Sequence, residues 1–297
     1  MARKRSALAR EHMIWGYGII SFWLVGFIVF TAGPVIASLV FSFSDWEILS
    51  PPSWTGISNY LALFDDELFY VSLYNTAYYA LLYVPLSVIG TMIIALLLNK
   101  DIKGITLLRL IYFLPSILPG VATALLWMYI LNPDYGYANW LLAKVGLPKL
   151  IWLQDPRTAK QALVMMGLWG VGGNMPIFLG ALKNIPTQLY EAAHIDGAGD
   201  AKCLWHITLP MLTPMIFFSL ITSFIGTFQV FTSAYIATNG GPENSTLFYV
   251  LLLYRNAFNY FKMGYASAMA WILFAIVLLF TLVQFRLSDR WVYYETK

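Results

Sequence analysis

The sequence predicts an all-α membrane protein with six transmembrane helices, and three features of the chain support this prediction. Of its 297 residues, 59% are hydrophobic and 11% are charged, whereas a soluble domain carries roughly 25% charged residues. Six stretches of at least 22 residues contain no Asp, Glu, Lys or Arg, and about 20 apolar residues suffice for a helix to cross a bilayer. Lys and Arg are also unevenly divided between the connecting segments, as in proteins that obey the positive-inside rule.

The six spans are predicted as helices because backbone groups in hydrocarbon must form hydrogen bonds within their own segment. They are Ile14–Phe43, Asn75–Leu98, Leu110–Leu131, Gln161–Leu182, Met211–Thr238 and Gly264–Phe285. The first has 30 residues, whereas the apolar region of a signal peptide has about 7–15. We therefore expect an uncleaved first span that tilts or breaks near Gly33-Pro34. Pro occurs in several other spans, where it predicts kinks.

The distribution of basic residues predicts that both termini are cytoplasmic. With that orientation, twelve of the 18 Lys and Arg residues lie inside and six lie outside. The inside residues are Arg3, Lys4, Arg5, Arg10, Lys100, Lys103, Arg109, Lys183, Lys202, Arg286, Arg290 and Lys297. We expect a cytoplasmic tail at 1–13, one transmembrane domain at 14–286 with a cytoplasmic loop at 183–210, and a second tail at 287–297. The two long outside loops, 45–74 and 132–160, are expected to be folded caps with short helices.

Several classes of activity lack the residues that they need. The sequence has no P-loop, so the chain cannot build an ATPase site of its own, and it has no paired-cysteine metal motif or nucleophile motif. Cys203 is the only cysteine, which excludes an intrachain disulfide. The net charge of +3 does not indicate a nucleic-acid-binding surface. Two alternatives stay open: an ion-coupled secondary carrier, although the spans hold no ionisable coupling group, and a membrane enzyme, although the spans hold no acid.

Uncharged polar and aromatic residues in the fourth and fifth spans are candidates for a solute path. These are Trp169, Asn174, Gly226, Thr227, Gln229 and Tyr235. Amides and hydroxyls can pair with the hydroxyl groups of a neutral polyhydroxylated solute, and aromatic rings can stack on its C–H faces. Packing between helices is the other explanation, because small residues allow close approach and Ser or Thr bond across. For Asn174 and Gln229, whose amides are costly to bury alone, both explanations stay open.

A polar segment between the fourth and fifth spans predicts a helical hairpin on the cytoplasmic side. Thr187–Asp196 contains good helix formers, and Gly197 can supply the left-handed residue that ends a helix. Asp200 is predicted to cap a second short helix that runs to Leu209. Three apolar side chains are expected to anchor this second helix against the bundle: Leu204, Trp205 and Ile207. The hairpin is either a docking surface or an ordinary helical loop.

The amino-acid sequence of this hairpin resembles a known motif. Leu189-Tyr190-Glu191-Ala192-Ala193-His194-Ile195-Asp196-Gly197-Ala198, followed by Ile207-Thr208-Leu209-Pro210, is similar to the EAA loop of ATP-binding-cassette (ABC) importer permeases. Thr238-Asn239-Gly240-Gly241-Pro242 resembles the outer-end motif of the carbohydrate branch, which includes maltose and glycerol-phosphate permeases. The six-span layout extends the resemblance over nearly the whole chain, and it implies the type I importer permease fold.

The resemblance implies one subunit of a larger complex in a bacterial or archaeal plasma membrane. The other components would be a second homologous permease, two cytoplasmic ATPase subunits that bind ATP and Mg, an extracytoplasmic solute-binding protein and membrane lipid, without nucleic acid. The chain itself would hold no cofactor and no metal. It would translocate a sugar or oligosaccharide, with glycerol-phosphate or another polyol-like solute as the alternative.

The resemblance also assigns roles to individual residues. The ATPase-coupling residues would be Glu191, Ala192, Ala193, Asp196, Gly197, Ile207, Leu209 and Pro210. Thr227 and Gln229 fall in the part of the fifth span where maltose-type permeases line the sugar site.

Overall fold

The computed structural model describes residues 7–100 and 102–293, so Arg3, Lys4, Arg5 and Lys297 of the predicted cytoplasmic segments lie outside the described residues. The described chain is mostly helical, with one short hairpin. The helices are α1 (Ala7–Phe27), α2 (Gly33–Ser42), α3 (Ser58–Phe64), α4 (Glu67–Leu98), α5 (Ile105–Phe113), α6 (Gly120–Ile130), α7 (Tyr137–Lys144), α8 (Ala159–Leu168), α9 (Met175–Lys183), α10 (Thr187–Ile195), α11 (Asp200–Cys203), α12 (Leu209–Phe228), α13 (Thr232–Ala237), α14 (Tyr249–Tyr254) and α15 (Met263–Ser288). The strands are β1 (Ser44–Asp45) and β2 (Ser53–Trp54).

Shorter helical turns of other types join some of these helices. Residues Ile28–Ala32, Leu204–Thr208 and Arg255–Asn259 form π-helical turns, and residues Leu114–Ile117 and Val171–Asn174 form 3₁₀ turns. Internal contacts divide the chain into two compact units. The first consists of Met1–Asp65 and Tyr254–Ile272, and the second of Asp66–Leu253 and Leu273–Lys297.

The first unit is organised around the end of α2. The strands β1 and β2 pair antiparallel directly after this helix. The side-chain amide of Asn59, on α3, donates hydrogen bonds to the carbonyls of Ser42 at 3.0 Å and Ser44 at 2.9 Å. Gly264, at the start of α15, packs so closely that a Cβ there would overlap the Ser44 carbonyl oxygen. These contacts turn the loop between the first and second spans into a folded cap with a short helix, as predicted.

The core of the second unit lies between α4, α9 and α12. Its buried side chains include Val88, Ala95, Leu98, Met175, Phe178, Leu179, Leu182 and Leu212. The four from α9 recur every three or four residues, which places them on one helix face. Arg109 closes the C-terminal end of α4, because its guanidinium donates to the Leu98 carbonyl at 2.8 and 3.2 Å. That bond satisfies a carbonyl that has no partner within its own helix.

The loop between the third and fourth spans is a second folded cap. It contains α7, which confirms that the loop holds a short helix. The buried Asn139 side chain organises it by donating to the carbonyls of Pro133 and Leu150 at 3.0 and 2.9 Å. The Asn139 carbonyl oxygen in turn accepts the Trp152 indole N–H at 3.0 Å. The amide therefore ties three parts of the loop together.

The spans agree with the predicted fold class, although their limits differ. Five helices of the described chain are long and apolar enough to cross a membrane: His12–Ser42, Glu67–Leu98, Ala159–Lys183, Asp200–Phe228 and Met263–Ser288. A sixth, bent pair consists of Ile105–Ile117 and Gly120–Ile130, with 99° between its parts. The third predicted span is therefore not a straight helix. Leu118 is extended, with φ −67° and ψ 136°, because the residue before a proline, here Pro119, is disfavoured in the helical conformation.

Proline is accommodated in two other spans by a π-helical turn. Before Gly33-Pro34, the Gly33 N–H bonds to the Ile28 carbonyl, five residues earlier. Before Leu209-Pro210, the Leu209 N–H bonds to the Leu204 carbonyl in the same way. Each wider turn precedes the proline, so the missing proline N–H falls at the start of the next helical segment, where it is tolerated. The first span accordingly continues through Gly33-Pro34 without a break.

The second half of the hairpin and the fifth span differ from the prediction. One helix continues from Asp200 to Phe228, so no separate short helix ends at Leu209 and the span does not begin at Met211. Gly199, not Asp200, is the N-cap residue. The helix also ends at Phe228 instead of Thr238, because Gln229, with φ −102° and ψ 11°, is not helical. Helix α13 then follows as a separate short element.

Candidate functional site

Helix α10 has a well-defined end. Gly197 adopts φ +78°, the left-handed conformation that the sequence predicts for it. The Gly197 N–H bonds to the His194 carbonyl at 3.0 Å, and the Ala198 N–H bonds to the Ala193 carbonyl at 2.9 Å. This pair of bonds is a Schellman motif, in which the left-handed residue is usually glycine because it has no Cβ. Gly197 therefore fixes where α10 stops.

One side of α10 is attached to the membrane helices. The Tyr190 hydroxyl lies 2.9 Å from the Thr208 hydroxyl, in the π-helical turn before α12. Tyr190 and Ile207 both pack, partly buried, against the core between α4, α9 and α12. Ile185, just before α10, is buried in the same core. Helix α10 is therefore in direct contact with the start of the fifth span.

The opposite side of α10 is exposed. Glu191 and Ala192 both have exposed side chains, and Ile195 is 86% exposed. Trp205, in the adjoining π-helical turn, is 69% exposed, so its predicted role as an anchor to the bundle is wrong. The turn of the chain directs its ring away from the core, while Ile207 packs inward. Exposed apolar side chains around a carboxylate are typical of a surface that another protein covers.

The eight predicted coupling residues thus divide into two groups. Four are exposed on or just after α10: Glu191, Ala192, Asp196 and Gly197. Four are partly buried: Ala193, Ile207, Leu209 and Pro210. The second group connects the exposed surface to α12. Sequence reasoning missed Ile195 as a surface residue, although an isoleucine at the end of a polar helix was a signal for one.

A polar pocket of about 420 Å³ lies between α4, the 3₁₀ turn after α8, and α12. We call it the tyrosine pocket. It is lined by Tyr79, Tyr83, Asn174, Thr222, Ser223, Gly226, Thr227 and Val230. Three of the predicted path residues, Asn174, Gly226 and Thr227, are therefore brought together. Thr227 is 3% exposed, and its hydroxyl already donates to the Ser223 carbonyl at 2.6 Å.

Two tyrosines that the sequence reasoning missed form one wall of this pocket. The rings of Tyr79 and Tyr83 stack with their centroids 5.5 Å apart and their planes 7° from parallel. Gly167 makes room for them, since a Cβ there would lie 2.7 Å from the Tyr83 ring and 2.8 Å from the Tyr79 hydroxyl. Tyr79 is 4% exposed and Tyr83 is partly exposed, so the Tyr83 ring is the one whose aromatic face can stack on the C–H face of a sugar. Their spacing of four residues in an apolar span was the available signal.

A second pocket, of about 380 Å³, lies next to the first and shares Val230 with it. We call it the tryptophan pocket, because Trp169 and Gln229 contribute to its lining. Trp169 packs edge to face against Trp127, with the ring centroids 6.2 Å apart. Tyr235, the remaining predicted path residue, lines neither pocket. It stacks on Phe231 instead, at 5.2 Å between ring centroids.

The electrostatic character of both pockets is neutral. All the residues that line them are uncharged. Asn174 is exposed in the tyrosine pocket, and its side chain makes no capping hydrogen bond to the helix that follows it. Its amide is therefore open to the space of the pocket. Within the described residues, 7–100 and 102–293, no three or more His, Cys, Asp or Glu side chains are grouped so that they could hold a metal ion.

Comparison with known proteins gives one family and several close relatives. The family model described as "Binding-protein-dependent transport system inner membrane component" matches residues 73–293. The chain is 44% identical to the probable ABC transporter permease protein YesP of Bacillus subtilis, over 100% of this chain and 97% of that one. It is 34% identical to the trehalose/maltose transport system permease protein MalF of Thermococcus litoralis, over 92% and 93% of the two chains.

The fold is also similar to a solved structure. That structure is a bacterial alginate ABC transporter in complex with an alginate pentasaccharide-bound periplasmic protein. The TM-score is 0.83 at 21% sequence identity, and the match covers 94% of this chain and 96% of the other. At this identity the similarity establishes the fold alone.

Proposed function

This chain belongs to the family of binding-protein-dependent transport system inner membrane components, and on that premise we propose that it carries a neutral sugar or oligosaccharide through the tyrosine pocket. The membership confirms the resemblance read from the EAA-like segment. The chain is an integral membrane protein and the permease subunit of an ABC importer. It is a transport subunit and has no ATPase site of its own.

The exposed amide of Asn174 is the observation on which the proposed class of solute, a neutral sugar, depends. It faces a pocket that also offers the hydroxyl of Ser223 and the partly exposed ring of Tyr83. The Thr222 hydroxyl, like that of Thr227, already donates to a backbone carbonyl, in this case that of Phe218 at 2.9 Å. A neutral sugar presents hydroxyls to such polar groups and C–H faces to such a ring. A phosphate-bearing solute would require a cation, and the pocket lining contains none. The relative from Thermococcus litoralis is named for trehalose and maltose transport, which supports the same class.

We further propose that helix α10 receives the force for transport. Its exposed face, with Glu191, Ala192 and Ile195, would dock into a groove of an ATPase subunit. ATP and Mg would be held by two such subunits, and a second homologous permease would complete the membrane path. A solute-binding protein would deliver the sugar to the two folded caps, on the side of a bacterial or archaeal plasma membrane opposite α10. The contact between Tyr190 and Thr208 supports direct transmission from α10 to the fifth span.

Replacing Asn174 with leucine tests the solute class. We expect uptake of a labelled neutral oligosaccharide to fall about tenfold, because the leucine leaves a sugar hydroxyl without its partner. Such a loss costs about 1–3 kcal/mol, and about 1.4 kcal/mol is tenfold. Uptake would be measured in liposomes that contain the complete complex, with ATP inside and the loaded binding protein outside. The variant should raise the concentration of loaded binding protein that gives half-maximal uptake, or lower the maximal rate of sugar uptake.

Two comparisons make this result specific. ATP hydrolysis by the Asn174→Leu complex in the absence of sugar should equal that of the unmodified complex, since α10 is untouched. Asn174→Gln, which keeps the amide, should recover part of the uptake. Unchanged oligosaccharide uptake by Asn174→Leu, or equal losses in the leucine and glutamine variants, would exclude this role for the amide.

A further inference from the structure

An apolar groove of about 410 Å³ runs along the outside of the second unit, between α4, α12 and the last part of α15. It is lined by Ala77, Ala80, Leu81, Val84, Pro85, Leu220, Phe224, Phe228, Ile276, Phe280 and Gln284. Its floor is aromatic, since Phe224 and Phe280 stack in parallel with ring centroids 3.3 Å apart. The residues of α4 at its rim are open to the surroundings: Leu81 is 75% exposed. None of these residues lines the tyrosine pocket.

The groove continues into a polar cluster at the end of α4 that lies away from α10. Tyr74, Tyr78, Leu81 and Pro85 are spaced by three or four residues, which places them along one face of α4. Leu81 and Pro85 line the groove, so Tyr74 and Tyr78 lie beyond the end of the groove that is nearer the start of α4. Tyr74 is 62% exposed. The apolar surface and the phenol groups therefore form one continuous strip.

Lys160 supplies a positive charge at the head of this strip. Its ammonium lies 4.9 Å from the centre of the Tyr74 ring and 4.8 Å from that of Tyr78. It also donates to the Asn75 side-chain oxygen at 3.1 Å, which uses one of its three protons. Gln161 donates to the Tyr78 hydroxyl at 3.1 Å, so the hydroxyl proton itself can still be donated. The cluster thus offers an ammonium and phenol O–H groups to an anion.

We propose that this strip binds one anionic phospholipid, with an acyl chain in the groove and the phosphate at Lys160. The charge is complementary, and the polar cluster lies at one end of an apolar groove, as the head and tail of a lipid require. The dimensions also agree. Ala77 to Pro85 spans about 12 Å of helix, close to half of a hydrocarbon core that is about 30 Å thick. The proposal is independent of which solute the permease carries.

The bound lipid can be measured directly on the purified full-length chain by native mass spectrometry. The chain would be exchanged into micelles with equal amounts of phosphatidylglycerol and phosphatidylcholine that have the same acyl chains. We expect one retained phosphatidylglycerol per chain, in preference to phosphatidylcholine. Lys160→Gln should lower this preference about fivefold, because one lysine near a membrane surface contributes about 1 kcal/mol to anionic lipid binding. Ala77→Phe, which fills the groove, should lower retention of both lipids.

Lys144→Gln is the matched control. Lys144 also stands over an aromatic ring, that of Trp140, at 5.3 Å, but it is not part of the groove. Its loss should leave the preference unchanged. The proposal is overturned if phosphatidylglycerol is not preferred, or if Lys160→Gln and Lys144→Gln have equal effects. It is also overturned if a cross-linker on Leu81→Cys attaches to the second permease in the assembled complex, because the groove is then a protein interface.

Discussion

We expect the Glu191→Arg substitution to abolish solute uptake while the amount of protein in the membrane stays the same. Glu191 is exposed on α10, so a larger side chain there meets no neighbour within the chain and should not disturb folding. The substitution replaces an acceptor by a donor and reverses the charge at the centre of the proposed docking surface. Like charges or unpaired charges at an interface cost several kcal/mol, which is a loss of more than about a hundredfold in coupling. Uptake into liposomes and membrane content measured by immunoblot give the two readouts.

A charge reversal outside α10 and both folded caps is the control for this variant. Lys103 is exposed just before α5, and Lys103→Glu should leave the coupling of ATP hydrolysis to solute uptake intact. Gly197→Asp should reproduce the loss, because the aspartate adds bulk and a negative charge to the proposed docking surface at a left-handed position that favours glycine. Gly199, with φ −83° and open space around it, gives the neutral comparison Gly199→Ala. Normal uptake by both Glu191→Arg and Gly197→Asp would refute the coupling role.

We expect Gly172→Ala to prevent the protein from folding stably. A Cβ at Gly172 would overlap the backbone carbonyl oxygen of Tyr112, and backbone cannot move aside as a flexible side chain can. The 3₁₀ turn Val171–Asn174 would have to withdraw from the third span and would lose the hydrogen bond from Thr91 to Val171, 2.8 Å long. Overpacking typically costs about 1–3 kcal/mol, and the lost hydrogen bond costs about 1 kcal/mol more. Unfolding in detergent, followed by tryptophan fluorescence, should show a large drop in the melting temperature.

Gly180→Ala is a matched control within the same span. Gly180 lies in α9, and no heavy atom comes within 4 Å of the Cβ that an alanine would add. Alanine is also the better helix former, by about 1 kcal/mol, so this variant should be as stable as the unmodified protein or more so. Equal melting temperatures for Gly172→Ala and Gly180→Ala would show that the third and fourth spans are not in close contact at Gly172.

The charge-free stretches predicted the spans, because a long apolar run has only one stable form in a bilayer, the helix. The limits of the spans were harder to predict. Pro119 indicated a distortion in the third span, but the residue alone does not determine how large the bend is. The observed angle of 99° depends on what the second half of the span packs against. The sequence predicted that one helix ends at Leu209 and that the fifth span begins at Met211, whereas in the structure a π-helical turn carries one helix past Pro210.

The site was predicted in part. Gly197 could be recognised as a left-handed helix stop because that role follows from the residue itself. Tyr79 and Tyr83 could not be distinguished from other aromatic residues in apolar spans, since only the packing of α4 against Gly167 brings them to a pocket. Trp205 was assigned to the interior on hydrophobicity alone. Its exposure of 69% follows from the direction in which the π-helical turn points it, which composition does not encode.

Cross-linking from α10 tests the central claim most directly. Ala192→Cys, in a chain whose only native cysteine is replaced by Cys203→Ser, places one exposed thiol on the proposed docking face. With a thiol-directed photo-cross-linker and the complete complex, we expect a covalent adduct with an ATPase subunit, whereas Leu81→Cys in the same background should give none. An Ala192→Cys complex that transports normally and yields no ATPase adduct would contradict the claim that α10 receives its force from those subunits.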